Sequence, residues 1–136
     1  MLVVDASALV DLLLVRPDAG EIERHVAAHS AELHAPQLLD IEVVSALRRV
    51  ASSGEATASR AREALDDLLA LPIERHSHGP LMPRVWQLRE TMTAYDATYL
   101  ALAEALSDRP GSLLTCDAGF ARAIAAASDV EALLVR

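Results

Sequence analysis

The chain has 136 residues, 52 % of them apolar, which is enough for one domain with a buried core and too apolar for a disordered chain. Its formal charge of −8 argues against non-specific coating of nucleic acid, and a single cysteine, Cys116, excludes an internal disulfide and points to a reducing, cytoplasmic setting. The absence of Lys and Asn excludes Walker A loops, Schiff-base catalysis, Ser-Lys dyads, lysine-dependent receiver domains, N-glycosylation and Cys-His-Asn triads.

Leu2-Val3-Val4 is a continuous apolar run, as in a parallel strand buried on both faces, and Asp5 ends it. The opening lacks the pattern of a signal peptide, and no apolar stretch approaches the ~20 residues that span a bilayer. Helical spacing runs from Ala6 to Val15, and again from Pro17 to His29. Leu33-His34-Ala35 reads as a strand closed by Pro36. A helix over Gln37–Ser52 carries the stripe Leu39, Val43, Ala46, Leu47 and Val50, and Ser53-Gly54 breaks it. Glu55–Leu71 is a further helix and Pro72–Arg75 a brief strand. Helices follow over Leu81–Met92, with the only Trp, and from Ala94 or Tyr95 to Leu106. After a turn at Asp108–Gly111 come a strand at Leu113–Thr115, a helix over Ala118–Ala127 and a last strand at Val130–Val135. With 26 Ala and 22 Leu the chain leans helical, and the alternation predicts one α/β domain over residues 1–136. Its sheet is short, mainly parallel, of four to five strands.

Open parallel sheets bind ligands at the carboxyl ends of strands, where strand order reverses. Asp5 and Asp117 both follow strands, and they meet if those strands are neighbours. Each also fits as a helix N-cap. Glu42 lies in a row with Leu38, Ser45 and Arg49 beside the core stripe. Asp96 sits in the first turn of its helix, where it also complements the dipole. Asp40 points about 160° away from Glu42 and is expected to be solvated. His25 and His29 share a helix face, but Val26 stands where a zinc protease needs Glu, so a solvated face is expected. His76 and His78 lack partner cysteines. A haloacid-dehalogenase-like phosphatase is disfavoured, because Ser7 occupies the position of its second Asp and the lysine is missing.

The four acids in their local settings resemble a known family. Val4-Asp5-Ala6-Ser7-Ala8-Leu9, Leu38 to Arg49, Tyr95-Asp96-Ala97-Thr98-Tyr99 and Leu114-Thr115-Cys116-Asp117 are similar, in order and spacing, to the acidic motifs of PIN-domain ribonucleases. The match is to the VapC-type toxins of bacterial toxin–antitoxin pairs and covers the whole chain. The resemblance implies a PIN-like three-layer sandwich and an endoribonuclease dependent on Mg²⁺ or Mn²⁺, leaving 5′-phosphate and 3′-hydroxyl ends. It implies Asp5 and Asp96 as direct metal ligands, with Glu42 and Asp117 completing the pocket. Carboxylate oxygens suit such hard ions. Ser7 and Thr115 fit as hydroxyls that orient the site. Arg49, with Arg48 and Arg84 or Arg89, is placed to meet RNA phosphates at the rim. The resemblance also implies a cognate VapB-like antitoxin whose arginine enters the acidic cleft. A homodimer is expected from the apolar surplus of Leu12-Leu13-Leu14 and the Trp86 helix. The non-enzymatic alternative is a catalytically inactive PIN-like RNA- or protein-binding module, disfavoured because all four acids are present.

Overall fold

The computed structural model describes residues 1–29, 32–106 and 111–136. Thirteen short segments of regular structure alternate along them. They are β1 (Leu2–Val4), α1 (Ala6–Leu13), α2 (Ala19–Ala28), β2 (Leu33–Pro36), α3 (Leu38–Ser53), α4 (Ala58–Ala70) and β3 (Ile73–His76). A 3₁₀ turn (Gly79–Leu81), α5 (Met82–Gln87), α6 (Ala94–Ala105), β4 (Ser112–Thr115), α7 (Ala118–Ala127) and β5 (Glu131–Leu134) follow.

The five strands form one sheet in the order β3-β2-β1-β4-β5. All four pairings are parallel, so the mainly parallel expectation becomes a wholly parallel sheet. The chain steps outward from β1 to β2 to β3, then returns across β1 to begin β4 and β5. Right-handed crossovers therefore put α1–α4 on one face and α5–α7 on the other. The contacts agree: α1 packs on α2, α3 and α4, and α6 packs on α5 and on β1, β2 and β4. Strand order reverses between β1 and β4, and a crevice forms outside their carboxyl ends.

β1 carries no polar side chain because both of its faces are covered: Leu2, Val3 and Val4 are fully buried, as are Leu113 and Leu114 beside them. Ala97, Ala101 and Ala103 are buried too, and their small side chains let α6 lie close on the sheet. Gly54, at φ 80°, ends α3 in the left-handed conformation that suits a residue without Cβ.

Three expected boundaries move for local reasons. α4 starts at Ala58 because Thr57 caps it, its Oγ1 accepting from Arg60 N at 3.0 Å. α5 is far shorter than Leu81–Met92. Pro83 sits in its first turn, and beyond Leu88 the chain tightens into i→i+3 bonds, such as Arg89 N to Trp86 O. β3 ends at His76, so a histidine joins the sheet. Of the expected turn at Asp108–Gly111, residues 108–110 lie outside the described residues.

The apolar triplet Leu12-Leu13-Leu14 is not left over as surface. Leu13 is buried and its neighbours pack against the core. Exposed apolar area lies instead at Val15, at Ile41 and Val44 on α3, and at Met82, Trp86 and Tyr95 around α5 and α6.

Candidate active site

β1 and β4 are neighbours in register, and Asp5 N donates to Leu114 O at 3.1 Å just past the end of β1. This sets Asp5 and the Thr115-Cys116-Asp117 turn side by side. Both aspartates do act as helix N-caps. Asp5 Oδ1 accepts from Ala8 N at 3.0 Å, and Asp117 Oδ1 accepts from Phe120 N at 3.0 Å. Capping uses one oxygen of each. Ser7 Oγ adds a second bond to the same Asp5 oxygen at 2.7 Å. A side chain can thus cap its helix and still belong to the cluster.

The hydroxyls tie the two strand ends together. Ser7 Oγ accepts from Cys116 N at 3.0 Å, and Thr115 Oγ1 accepts from Asp117 N at 3.0 Å. The two oxygens lie 3.4 Å apart. Thr115 is fully buried, so this link is shielded from water.

Asp96 is the third residue of α6, and the cap there is Thr93, whose Oγ1 accepts from Asp96 N at 3.2 Å. The Asp96 carboxylate accepts no hydrogen bond among the described residues and lies near the charges of Asp117 and Glu42. Glu42 comes from α3 on the other face of the sheet. Its Oε1 accepts from Tyr99 OH at 2.7 Å, one turn beyond Asp96 on α6. Tyr99 is buried, and burial with the Glu42 bond raises its pKa, so the phenol stays a donor. That bond joins the two helical layers over the strand ends. Sequence reasoning gives Tyr99 no separate role. Its place one turn after Asp96 was the available signal.

The electrostatics identify the cluster. Burial pushes the Asp5 carboxyl from 3.8 up to about 6, against the bonds from Thr115, Ala8 and Ser7, with a further push from the Asp96 charge. Asp96 rises to about 6 as well, through burial and then the charges of Asp117 and Glu42. Asp96 therefore senses all three other acids. Among the described residues, no ion pair neutralises any of the four. Such a cluster is strongly negative. No three of the four bring ligand atoms within 4.8 Å of one another among the described residues, as expected of like charges that repel. This spread fits hydrated Mg²⁺, which takes one or two carboxylates directly and reaches others through water.

A cleft of about 440 Å³ opens beside these acids, lined by Ser7, Asp11, Arg16, Glu42, Arg49 and Cys116 among others. Arg49 is exposed, and its hydrogen bond is to Ser45 at 3.1 Å. Arg16 is a second cleft arginine that the sequence did not reveal. It is held by Asp11 at 2.8 Å and by Glu55 at 2.9 Å. Cys116 is no nucleophile: burial and Asp11 push its thiol up to about 12.

Other residues go elsewhere. Arg84 is bound by Glu104 at 2.8 Å, and Arg89 stacks on Trp86 at 4.5 Å, so neither joins the rim. Asp40 is not solvated but half-buried and paired with Arg75 at 3.0 Å. His25 and His29 are half-buried too, with His29 Nδ1 donating to His25 O at 2.9 Å. His78 Nε2 accepts from Leu38 N at 2.9 Å, at the start of α3.

Comparison with known proteins agrees with the geometry. The family model described as PIN domain matches residues 2–125. Ribonuclease VapC1 of Mycobacterium tuberculosis is 46 % identical over 122 residues, which is 89 % of either chain. VapC ribonuclease Mb0985 of Mycobacterium bovis is 41 % identical over 107 residues, covering 79 % of this chain and 80 % of the relative. The crystal structure of PAE2754 from Pyrobaculum aerophilum superimposes with a TM-score of 0.71 at 23 % identity. It covers 96 % of this chain and 81 % of the other, a likeness of fold.

Proposed function

The chain belongs to the PIN-domain family, as a VapC-type toxin, and from that premise we propose that it is a metal-dependent endoribonuclease held in check by a cognate antitoxin. The observation that carries the proposal is the group of four acids with no counter-cation among the described residues, near the point where strand order reverses. Asp5 and Asp96 would be the direct ligands in this reading. Glu42 and Asp117 complete the pocket, through water or around a second ion. Bound Mg²⁺ or Mn²⁺ lowers the pKa of a coordinated water and neutralises charge on the phosphate. The chain's own groups do the positioning. Ser7 and Ala8 N fix Asp5 by its Oδ1, and Tyr99 OH fixes Glu42. Thr115 and Ser7 hold the turn that carries Asp117. Arg49 meets a phosphate of single-stranded RNA at the rim, where its fork suits two phosphate oxygens. The outcome is phosphodiester hydrolysis to 5′-phosphate and 3′-hydroxyl ends, in the cytoplasm.

The same charge supports the inhibitor's mode of action. A dense group of carboxylates is costly to cover unless a cation enters with the cover. An antitoxin segment bearing Arg supplies that cation, while its apolar side chains lie over exposed Ile41 and Val44 on α3. Pairing with a second copy draws on the other exposed apolar group, Met82, Trp86 and Tyr95.

The test is to map 5′-phosphate ends after brief expression, and to repeat cleavage with purified protein in Mg²⁺, in Mn²⁺ and in EDTA. New 5′-phosphate ends that EDTA abolishes are expected. Cleavage that persists in EDTA, or RNA binding without cleavage in either metal, overturns the reading.

A further inference from the structure

Away from the acid cluster, on edge strand β3 and its neighbour β2, two histidines and a glutamate converge. In the parallel register of β2 with β3, His34 stands opposite Glu74, and His76 is opposite Pro36. Alternation along a strand places His34, Glu74 and His76 on one face. Arg75 points to the other face, where it bonds Asp40 of α3 and the Leu68 carbonyl of α4. His34 Nδ1 lies 2.8 Å from His76 Nε2 and 3.5 Å from Glu74 Oε2. One potential ligand atom from each of the three lies within 4.8 Å of the other two.

We propose that His34, His76 and Glu74 form a second metal site, for a transition ion of the Zn²⁺ class, which clamps edge strand β3 to β2. The distances carry the assignment. With metal–ligand bonds of about 2.0–2.1 Å, the edge of a tetrahedron is roughly 3.3–3.4 Å. The observed 2.8 and 3.5 Å bracket that edge, so an ion enters with side-chain adjustments alone. Two imidazole nitrogens and one carboxylate oxygen select Zn²⁺, Co²⁺, Ni²⁺ or Cu²⁺ over Mg²⁺. Glu74 is exposed, so solvent reaches the fourth position. His78 is not that fourth ligand, because its Nε2 is taken by Leu38 N–H. The site closes a long stretch of chain, from His34 to His76, and binding to the folded state alone stabilises it by mass action. Nothing in this inference depends on ribonuclease activity.

Because the two sites differ in donor chemistry, one titration separates them. The full chain, stripped with chelator, is titrated with Co²⁺ and followed by visible absorption. Zn²⁺ or excess Mg²⁺ is then added as competitor. One equivalent of Co²⁺ is expected to give the absorption of a four-coordinate, nitrogen-bearing site, displaced by Zn²⁺ and not by Mg²⁺. The signal persists in Asp5→Asn/Asp96→Asn and weakens by roughly tenfold or more in His76→Gln and in Glu74→Gln. Glu74 is a surface residue, so Glu74→Gln reports on ligation even if a histidine variant fails to fold. Micromolar Zn²⁺ raises the melting temperature of the wild type and not that of Glu74→Gln. Three results overturn the proposal: no Co²⁺ signal, a signal indifferent to Glu74→Gln, or a signal lost in Asp5→Asn/Asp96→Asn.

Discussion

Acids at the carboxyl ends of β1 and β4 and acids on the helical flanks are the same residue types in opposite electrostatic settings. On the flanks, Asp40 has Arg75, Glu104 has Arg84 and the Ser128 hydroxyl, and Asp11 and Glu55 share Arg16. Around the strand ends Asp5, Glu42 and Asp117 have hydroxyl or amide donors, Asp96 has none, and no cation pairs with any of the four among the described residues. Arginine is not scarce, since the chain has 12 basic residues, every one Arg. These flank acids are neutralised by arginine, whereas burial and neighbouring carboxylates raise the pKa of Asp5 and Asp96, and that costs stability in the metal-free protein.

The comparison breaks most directly if the unpaired acids prove dispensable. Asp5→Asn keeps the cap and the shape while removing the charge, and Asp96→Asn does the same under the Thr93 cap. Each is expected to lower metal-dependent RNA cleavage by more than roughly hundredfold, since even outer groups around a metal cost about 10–100-fold. Circular dichroism should show an unchanged fold. Wild-type rates in a folded Asp5→Asn protein would remove Asp5 from the site.

Stability against pH sharpens the same contrast. Asp5 has its pKa raised from 3.8 to about 6, so between about pH 4 and pH 6 the native state binds more protons than the unfolded chain. Its contribution therefore lowers stability as pH rises through that window and is flat above it. Two units at about 1.4 kcal/mol each put the cost on the order of 2–3 kcal/mol for this buried group. Denaturant unfolding in EDTA from pH 4 to 7.5 measures it as wild type minus Asp5→Asn. The variant should be the more stable of the two at pH 7, by an amount that shrinks to nothing near pH 4. A difference that does not vary with pH would mean that Asp5 is not strained by its charge. With Mn²⁺ the sign reverses, because ion and proton compete for the carboxylates, and affinity should rise with pH through about 6.

Tyr99→Phe asks how much positioning the Glu42 carboxylate needs. The variant loses the hydroxyl that holds Glu42 Oε1 and keeps the ring in the core. A hydrogen bond to a charged group contributes about 1.5–3 kcal/mol, so the metal concentration for half-maximal cleavage should rise roughly tenfold or more. The saturated rate should change less. A lower saturated rate with unchanged metal dependence would place Tyr99 outside the metal's support.

The candidate acids were legible in the sequence chiefly through the order and spacing of motifs that resemble the PIN family. Taken singly, Asp5 and Asp117 also read as caps, Asp96 as a complement to the helix dipole and Glu42 as a solvated acid beside the core stripe. What escaped depends on register and long-range pairing. Arg16 meets Glu55 across 39 positions, and His34 meets His76 across 42. Neither pair leaves a periodic trace. Tyr99 carries no signal of its own because its ring is core and only its hydroxyl reaches Glu42. Leu12-Leu13-Leu14 looked like surplus surface because a linear count does not show that α2, α3 and α4 all pack around α1. α5 was drawn too long because the tightening beyond Leu88 has no sequence marker as plain as the Gly54 break.

The smallest expected effect separates the two cleft arginines. Arg49 has no acid partner among the described residues and bonds only a serine, whereas Arg16 is already shared by Asp11 and Glu55. A paired guanidinium has its charge largely compensated and its donors engaged, so it releases little on meeting a phosphate. In the Asp96→Asn background, where RNA stays intact, Arg49→Ala should weaken binding of a short single-stranded RNA a few-fold. It should also lower the slope of log affinity against log salt by about 0.7, the value for one phosphate contact on a single strand. Arg16→Ala should leave that slope unchanged and reduce unfolding stability by about 1 kcal/mol, since Asp11 keeps only limited solvent access after losing its partner. Fluorescence anisotropy at several salt concentrations, beside denaturant unfolding, reads both. If Arg16→Ala lowers the salt slope as much as Arg49→Ala, pairing with acids does not withhold an arginine from RNA, and the flanks and the cleft would have to be read by one electrostatic rule.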